Sequence, residues 1–173
     1  MRKGENLISY LDWPLFFAFI MMLIMGLATV YSVAYTPGDP SLFDLDKQYG
    51  KQSMWIGISL FLGLLVFLID SLVADGKKVF GYGASTKGNV LLQYCNLTSK
   101  QIPCIAEVNE DKYGSFTPGT LIPIISETKA KSENPDYFLV LPWHFKNNIL
   151  AREQEYIANG GKFIFPLAEI EII

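Results

Sequence analysis

Charge is nearly missing from the first part of this chain. Pro14 to Tyr35 runs 22 residues without Asp, Glu, Lys, Arg or His, which excludes an ordinary solvated helix there. Histidine is almost missing as well. His144 is the only one, and general acid–base work by a histidine needs an acidic or nucleophilic partner that the sequence does not place beside it. Cysteine is scarce: Cys95 and Cys104 stand nine apart, a spacing that fits neither a paired zinc motif nor a disulfide framework. They read as free thiols in a reducing compartment, and no metal site is expected. A basic stripe is also missing. Residues 75–173 hold ten Lys and Arg against eleven Asp and Glu, so nucleic acid is not expected as a partner.

Two unlike pieces remain. In residues 1–74 the Pro14–Tyr35 run is long enough at 1.5 Å per residue to cross a ~30 Å hydrocarbon core. Trp13, Tyr31 and Tyr35 lie near its ends, where amphipathic rings favour the interface. Its apolar core is longer than that of a cleaved signal peptide. A second apolar run, Met54–Ile69, is bounded by Lys51 and Asp70. With Gln52 and Ser53 added, or Asp70 tucked among headgroups, it reaches spanning length. The segment Thr36–Gln52 between them carries turn residues Pro37, Gly38, Asp39 and Pro40. The expectation is a transmembrane hairpin with spans at about 14–35 and 53–70, and membrane lipid as a partner. Arg2, Lys3, Lys77 and Lys78 on the terminal side outnumber Lys47 and Lys51 in the loop, which places both termini in the cytoplasm.

Residues 75–173 read as a separate α/β domain organised around Val79–Asn89, VFGYGASTKGN. A short apolar strand breaks at Gly81 and Gly83, and Ser85, Thr86, Lys87, Gly88 and Asn89 lead into a helical pattern. Glycines there permit a tight turn, and the new helix aims unpaired N–H groups at an anion. The spacing G-x-G-x-x-x-x-G matches neither the dinucleotide fingerprint nor a Walker loop. It indicates an anionic, nucleotide-like ligand; the other reading is that Ser85 or Thr86 simply caps the helix. Strands are predicted at Ile102–Val108, Asp136–Leu141, Lys162–Phe165 and, shorter, within Glu169–Ile173. Helices are predicted at Lys87–Cys95 and Phe145–Ala158, with a turn-rich excursion at Glu110–Ser126 and a weak helix or loop at Thr128–Asn134. Alternation of this kind implies a Rossmann-like, three-layer, mainly parallel sheet, with ligands beyond the strands' carboxyl ends. Those ends carry Glu107 and Asn109, and His144. Glu107 stands either where a ribose hydroxyl would meet it or as a solvated strand-end carboxylate.

The strings GYGASTKGNVLLQYC, IAEVNEDKYGSFTPGT and PDYFLVLPWHFKNNILAREQEYIANGGKFIFPL closely resemble the C-terminal domain of bacterial sugar C-methyltransferases. That resemblance implies help in binding a nucleotide-sugar, such as a thymidine diphosphate deoxysugar. By that likeness Gly81, Gly83, Ser85, Thr86, Lys87, Gly88, Asn89, Glu107, Asn109 and His144 are the expected contacts. In the family a zinc-binding domain and an S-adenosylmethionine domain come first. Neither is recognisable here, so no cofactor and no catalytic residue is expected of this chain. YLDWPLFFAFIMMLIMGLATVYSVAY with FDLDKQYGKQSMWIGISLFLGLLVFLID resembles the first two spans of a rod shape-determining protein of the SEDS family, which implies a bacterial inner membrane. Meeting between Asp70 and Gly76, the two likenesses make the chain read as a chimera. It is expected to be a membrane-tethered nucleotide-sugar-binding domain inactive alone, a methyltransferase subunit completed by a partner chain, or a truncated cell-wall polymerase.

Overall fold

The computed structural model describes residues 12–35, 43–167 and 170–173. Arg2, Lys3, the turn residues Pro37 to Pro40 and Glu169, used above, lie outside them. The chain divides into two compact units, one ending at Leu64 and one running from Leu65 to Ile173.

The first unit contains helix α1, Trp13–Ala34, and the beginning of helix α2, Gln48–Ala74. Asp12 caps α1 by accepting from the Leu15 N–H at 3.1 Å, and Pro14 falls in the first turn, where its missing N–H costs nothing. No residue of α1 is buried. Leu15, Phe17, Met21, Met22, Ile24 and Met25 are all more than half exposed. Before α2 the chain turns on Asp44, whose carbonyl accepts from Lys47. Gly50 permits this turn, because a Cβ there would lie 1.9 Å from the Asp44 carbonyl oxygen. Among the described residues α1 and α2 are the two helices long and apolar enough to cross a membrane.

The second unit is α/β, as the alternation predicts. Its strands are β1 Val79–Tyr82, β2 Ile105–Glu107, β3 Ile124–Ser126, β4 Tyr137–Val140, β5 Lys162–Phe165 and β6 Glu171–Ile172. They form one sheet in the order β3-β2-β1-β4-β5-β6. Every neighbouring pair is parallel except β5 with β6. The helices are α3 Thr86–Tyr94, α4 Glu127–Ser132, α5 Lys146–Arg152 and α6 Gln154–Ala158.

Alternation along the strands sorts the core into two layers. Phe80, Tyr82, Phe138, Val140, Phe163 and Phe165 face one side, where Ala130 of α4, Ile149 of α5 and Tyr156 of α6 cover them. Four rings from four elements meet there: Phe138 lies 5.3 Å from Tyr82, 5.8 Å from Phe163 and 5.4 Å from Tyr156. Val79, Leu139 and Ile164 face the other side and are also buried. Leu91 and Leu92 of α3 are buried in the same unit. Leu65 and Ile69 of α2 belong to this unit and have no exposed surface.

Three features differ from the sequence expectation. The Glu110–Ser126 excursion contributes an edge strand, β3, after a 3-10 turn at Glu110–Lys112. The helix expected over Phe145–Ala158 is a 3-10 turn at Trp143–Phe145 followed by α5 and α6, which break at Glu153. The second apolar helix ends at Ala74 rather than near residue 70, and its last turns belong to the α/β unit.

Candidate functional site

From β1 the chain leaves toward β2 and β3, and β4 then returns to the opposite side of β1. A topological switch point therefore lies between β1 and β4, and their carboxyl ends part there into a crevice. The crevice has a volume of about 270 Å³ and is lined by Gly83, Pro142, Phe145, Asn148, Ile149 and Arg152, among others.

The glycine turn forms one wall. Gly83 has φ +77°, and a Cβ on it would come within 2.7 Å of the Pro142 ring. Its conformation and its closeness to the β4 exit thus both call for glycine. Gly81 and Gly88 do different work. Gly81 is a member of β1, packed against Ile105, and Gly88 lets α3 settle onto Leu141, where a Cβ would approach to 2.4 Å. Ser85 is the N-cap of α3 and accepts from the Gly88 N–H at 3.0 Å. Thr86 and Lys87 are exposed in the first turn. Asn89, half-buried, has its Oδ1 out of solvent and without a hydrogen-bond donor.

Glu107 has a definite structural task. Its Oε1 accepts from the N–H groups of Val108 at 2.8 Å and Asn109 at 3.1 Å. Its Oε2 accepts from the Ala84 N–H at 2.9 Å and the Lys112 ammonium at 3.0 Å. Lys112 also donates to the Ala84 carbonyl at 2.9 Å. The carboxylate is buried, so it is not the solvated strand-end group allowed by the sequence. Its acceptor directions are taken by this chain, and it latches the glycine turn to the end of β2. Burial alone would raise its pKa. The Asn109 N–H, the Lys112 ammonium and the Val108 N–H outweigh that and hold it below the usual carboxylate range. Asn109 caps the 3-10 turn, accepting from the Asp111 N–H at 3.1 Å. His144 is exposed, its ring 4.3 Å from that of Phe145. The structure brings the Gly81–Asn89 turn and Glu107 together, whereas His144 stands on the 3-10 turn after β4.

Sequence reasoning missed the polar cluster beneath the crevice. The Tyr82 hydroxyl donates to Glu153 Oε1 at 2.7 Å and receives a hydrogen bond from Arg152. Arg152 also reaches Glu153 at 2.8 Å and Glu127 at 2.6 Å. Lys131 joins Glu127 at 2.6 Å and pairs with Glu153. Burial and the Glu153 hydrogen bond raise the Tyr82 pKa, so the phenol keeps its proton. A tyrosine in a strand otherwise made of buried apolar groups was the available signal, since a buried phenol usually finds a partner. Its partners lie 45 to 71 residues away in sequence, so spacing could not supply them. Arg152 is about half exposed and lines both this crevice and a neighbouring cleft of about 480 Å³. Among the described residues no group of three or more His, Cys, Asp or Glu is placed to hold a metal ion.

Replacing Gly83 by Val should destabilise the α/β unit by about 3 kcal/mol. A left-handed backbone costs a residue with a Cβ ~1–2 kcal/mol, and overpacking against Pro142 adds ~1–3 kcal/mol. Gly76→Ala is the control, because Gly76 has the same φ but open space around it. If urea unfolding gave both variants equal losses, the contact with Pro142 would be irrelevant.

Comparison with known proteins agrees with this architecture. The family model described as the C-methyltransferase C-terminal domain matches residues 62–168. A curated relative, the C-methyltransferase NovU of Streptomyces niveus, is 42% identical over 106 residues, which is 61% of this chain and 25% of NovU. This chain thus matches about a quarter of that relative's length. With the matched region covering five of the six strands, the glycine turn and the crevice, the chain belongs to the C-methyltransferase C-terminal domain family.

Proposed function

We propose that the α/β unit binds a nucleoside diphosphate sugar at the β1/β4 crevice and does not itself hold a methyl donor. The observation that carries this is the β1/β4 crevice itself, walled by Gly83, Pro142 and Arg152, with the first turn of α3 beginning three residues after Gly83. A diphosphate gains ~0.3–1 kcal/mol from such a helix end when exposed and up to ~2 kcal/mol when partly buried. Lys87 supplies a mobile charge at the same end, and Arg152 lines the crevice itself. Phe145, Ile149 and Pro142 offer an apolar wall for a ring. Glu107 serves by fixing the turn. Membership of the C-methyltransferase family supports a nucleotide-sugar as the ligand class.

At the crevice mouth, Val108 and Phe145 are each more than half exposed. That favours closure over the ligand by a further methyltransferase domain, and methyl transfer is assigned to such an assembly. With the crevice open on this chain, binding should be near millimolar, ~4 kcal/mol. The apolar helices tether the unit to a bilayer, with the α/β unit on the cytoplasmic side.

Titration of the purified chain with a thymidine diphosphate sugar tests the reading. Binding should weaken about two- to fivefold in Lys87→Ala, which corresponds to ~0.4–1 kcal/mol. Equal affinity for the two proteins would reduce the α3 end to a structural cap. Methyl incorporation by the purified chain alone with S-adenosylmethionine would overturn the division of labour.

A further inference from the structure

We propose that the chain crosses the membrane once, through α1, and that α2 does not cross. This rests on the membrane reading above and replaces the two-span hairpin expected from hydropathy.

By length and composition both helices qualify as spans. Burial separates them. Leu65 and Ile69 of α2 have no exposed surface and belong to the compact unit that ends at Ile173. The family match begins at residue 62, so sequence likeness and packing independently assign the last third of α2 to the α/β unit. Side chains with no exposed surface have none left to present to lipid. The apolar stretch left to the bilayer is Met54–Leu64, eleven residues. At 1.5 Å per residue it covers ~16 Å, about half of a ~30 Å hydrocarbon core. Adding Gln52 and Ser53 brings it to ~20 Å, and one residue further is Lys51. An apolar helix of this length lies in the interface or re-enters on the same side.

The side chains of the stretch fit that placement. Trp55 is 59% exposed and Leu64 63% exposed, with Met54, Ile58 and Leu60 also open to a lipid partner. By contrast, α1 has 22 residues, no buried position, an acidic cap at one end and Tyr35 at the other. Its length of ~33 Å matches the hydrocarbon core. The basic residues close to α1 are Arg2 and Lys3 on one side and Lys47 and Lys51 on the other. One crossing leaves them balanced, so charge does not oppose it.

The test places single cysteines at Gly4→Cys, Ser41→Cys and Ser99→Cys in the full chain, with Cys95 and Cys104 replaced by Ala. A membrane-impermeant maleimide is applied to intact and to lysed spheroplasts, and membrane and soluble fractions are assayed. One crossing predicts that position 4 labels from one side and that 41 and 99 share the other. Position 41 alone on the opposite side would establish two crossings and overturn the proposal. All three on one side, with the chain in the membrane fraction, would show that α1 does not cross. Recovery of the chain in the soluble fraction would instead defeat the membrane reading itself.

Discussion

A fragment beginning at residue 62 should melt cooperatively, and one beginning at Asp75 should be less stable by ~3–6 kcal/mol or fail to fold. The shorter fragment loses Leu65 and Ile69, which have no exposed surface and fall within the α/β unit. Burying a leucine or isoleucine side chain is worth ~1.5–3 kcal/mol, and two of them approach the whole stability of a small domain, ~5–15 kcal/mol. Thermal melts of both fragments decide the matter. Equal midpoints would mean that the end of α2 is a passenger, and would remove the ground for assigning it to this unit. A fragment from residue 62 carrying Leu65→Ala and Ile69→Ala should behave like the short one, which separates lost burial from lost helix length.

Why the sequence put the boundary at 75 follows from the same residues. In Met54–Ile69 one apolar run is divided between the two compact units, and hydropathy carries no mark of that division. The composition shift at Asp75–Lys78 marks where the helix ends, which is not where the unit begins. Elsewhere, local pattern sufficed. β1, α3, β4 and β5 lie within a residue or two of their expected limits, because each is a short apolar run closed by glycine, proline or asparagine. β3 escaped because Ile124–Ser126 is three residues long and follows Pro123, so its only strand signal is pairing with β2. The break at Glu153 escaped because its cause is tertiary. The Glu153 carboxylate turns inward to Tyr82, Lys131 and Arg152, and α5 and α6 meet at that residue. At the site, the turn was legible from its glycines, although their tasks were not. Only Gly83 has positive φ among Gly81, Gly83 and Gly88, while Gly81 and Gly88 are glycine for packing. The Glu107 latch depends on Lys112 and on backbone donors that a sequence cannot orient.

Glu153→Ala should cost the α/β unit about 3–5 kcal/mol, the usual consequence of removing one partner from a buried ionic group. Glu153 is buried, and its carboxylate is the shared acceptor of Tyr82, Arg152 and Lys131. Without it, the Tyr82 hydroxyl has only the more distant Glu127 oxygen, at 3.2 Å, to accept its proton. Lys131 and Arg152 are then left to share the same glutamate. Like charges held together over one acceptor make the vacancy worse than a simple cavity. The amide variant Glu153→Gln keeps the shape but not the charge, so its cost separates the electrostatic part from packing.

The pH dependence supplies a second readout. Burial alone would raise the Glu153 pKa, but Lys131, the Tyr82 hydroxyl and Arg152 outweigh it and hold it below its ordinary value of 4.5. A carboxyl lowered in the folded state contributes stability above its unfolded pKa and loses it as pH falls through the folded one. Glu107 is lowered as well. The wild-type urea midpoint should therefore fall steadily below pH ~4.5. In Glu153→Gln it should start lower at pH 7 and fall less steeply, because one of the three lowered carboxyls, Glu107, Asp136 and Glu153, no longer titrates. Parallel pH curves for the two proteins would show that the cluster adds no net stabilisation to the fold. A shallower curve in the variant would establish this ionic cluster as the element that fixes α4, α5 and α6 to the end of β1, beneath the crevice.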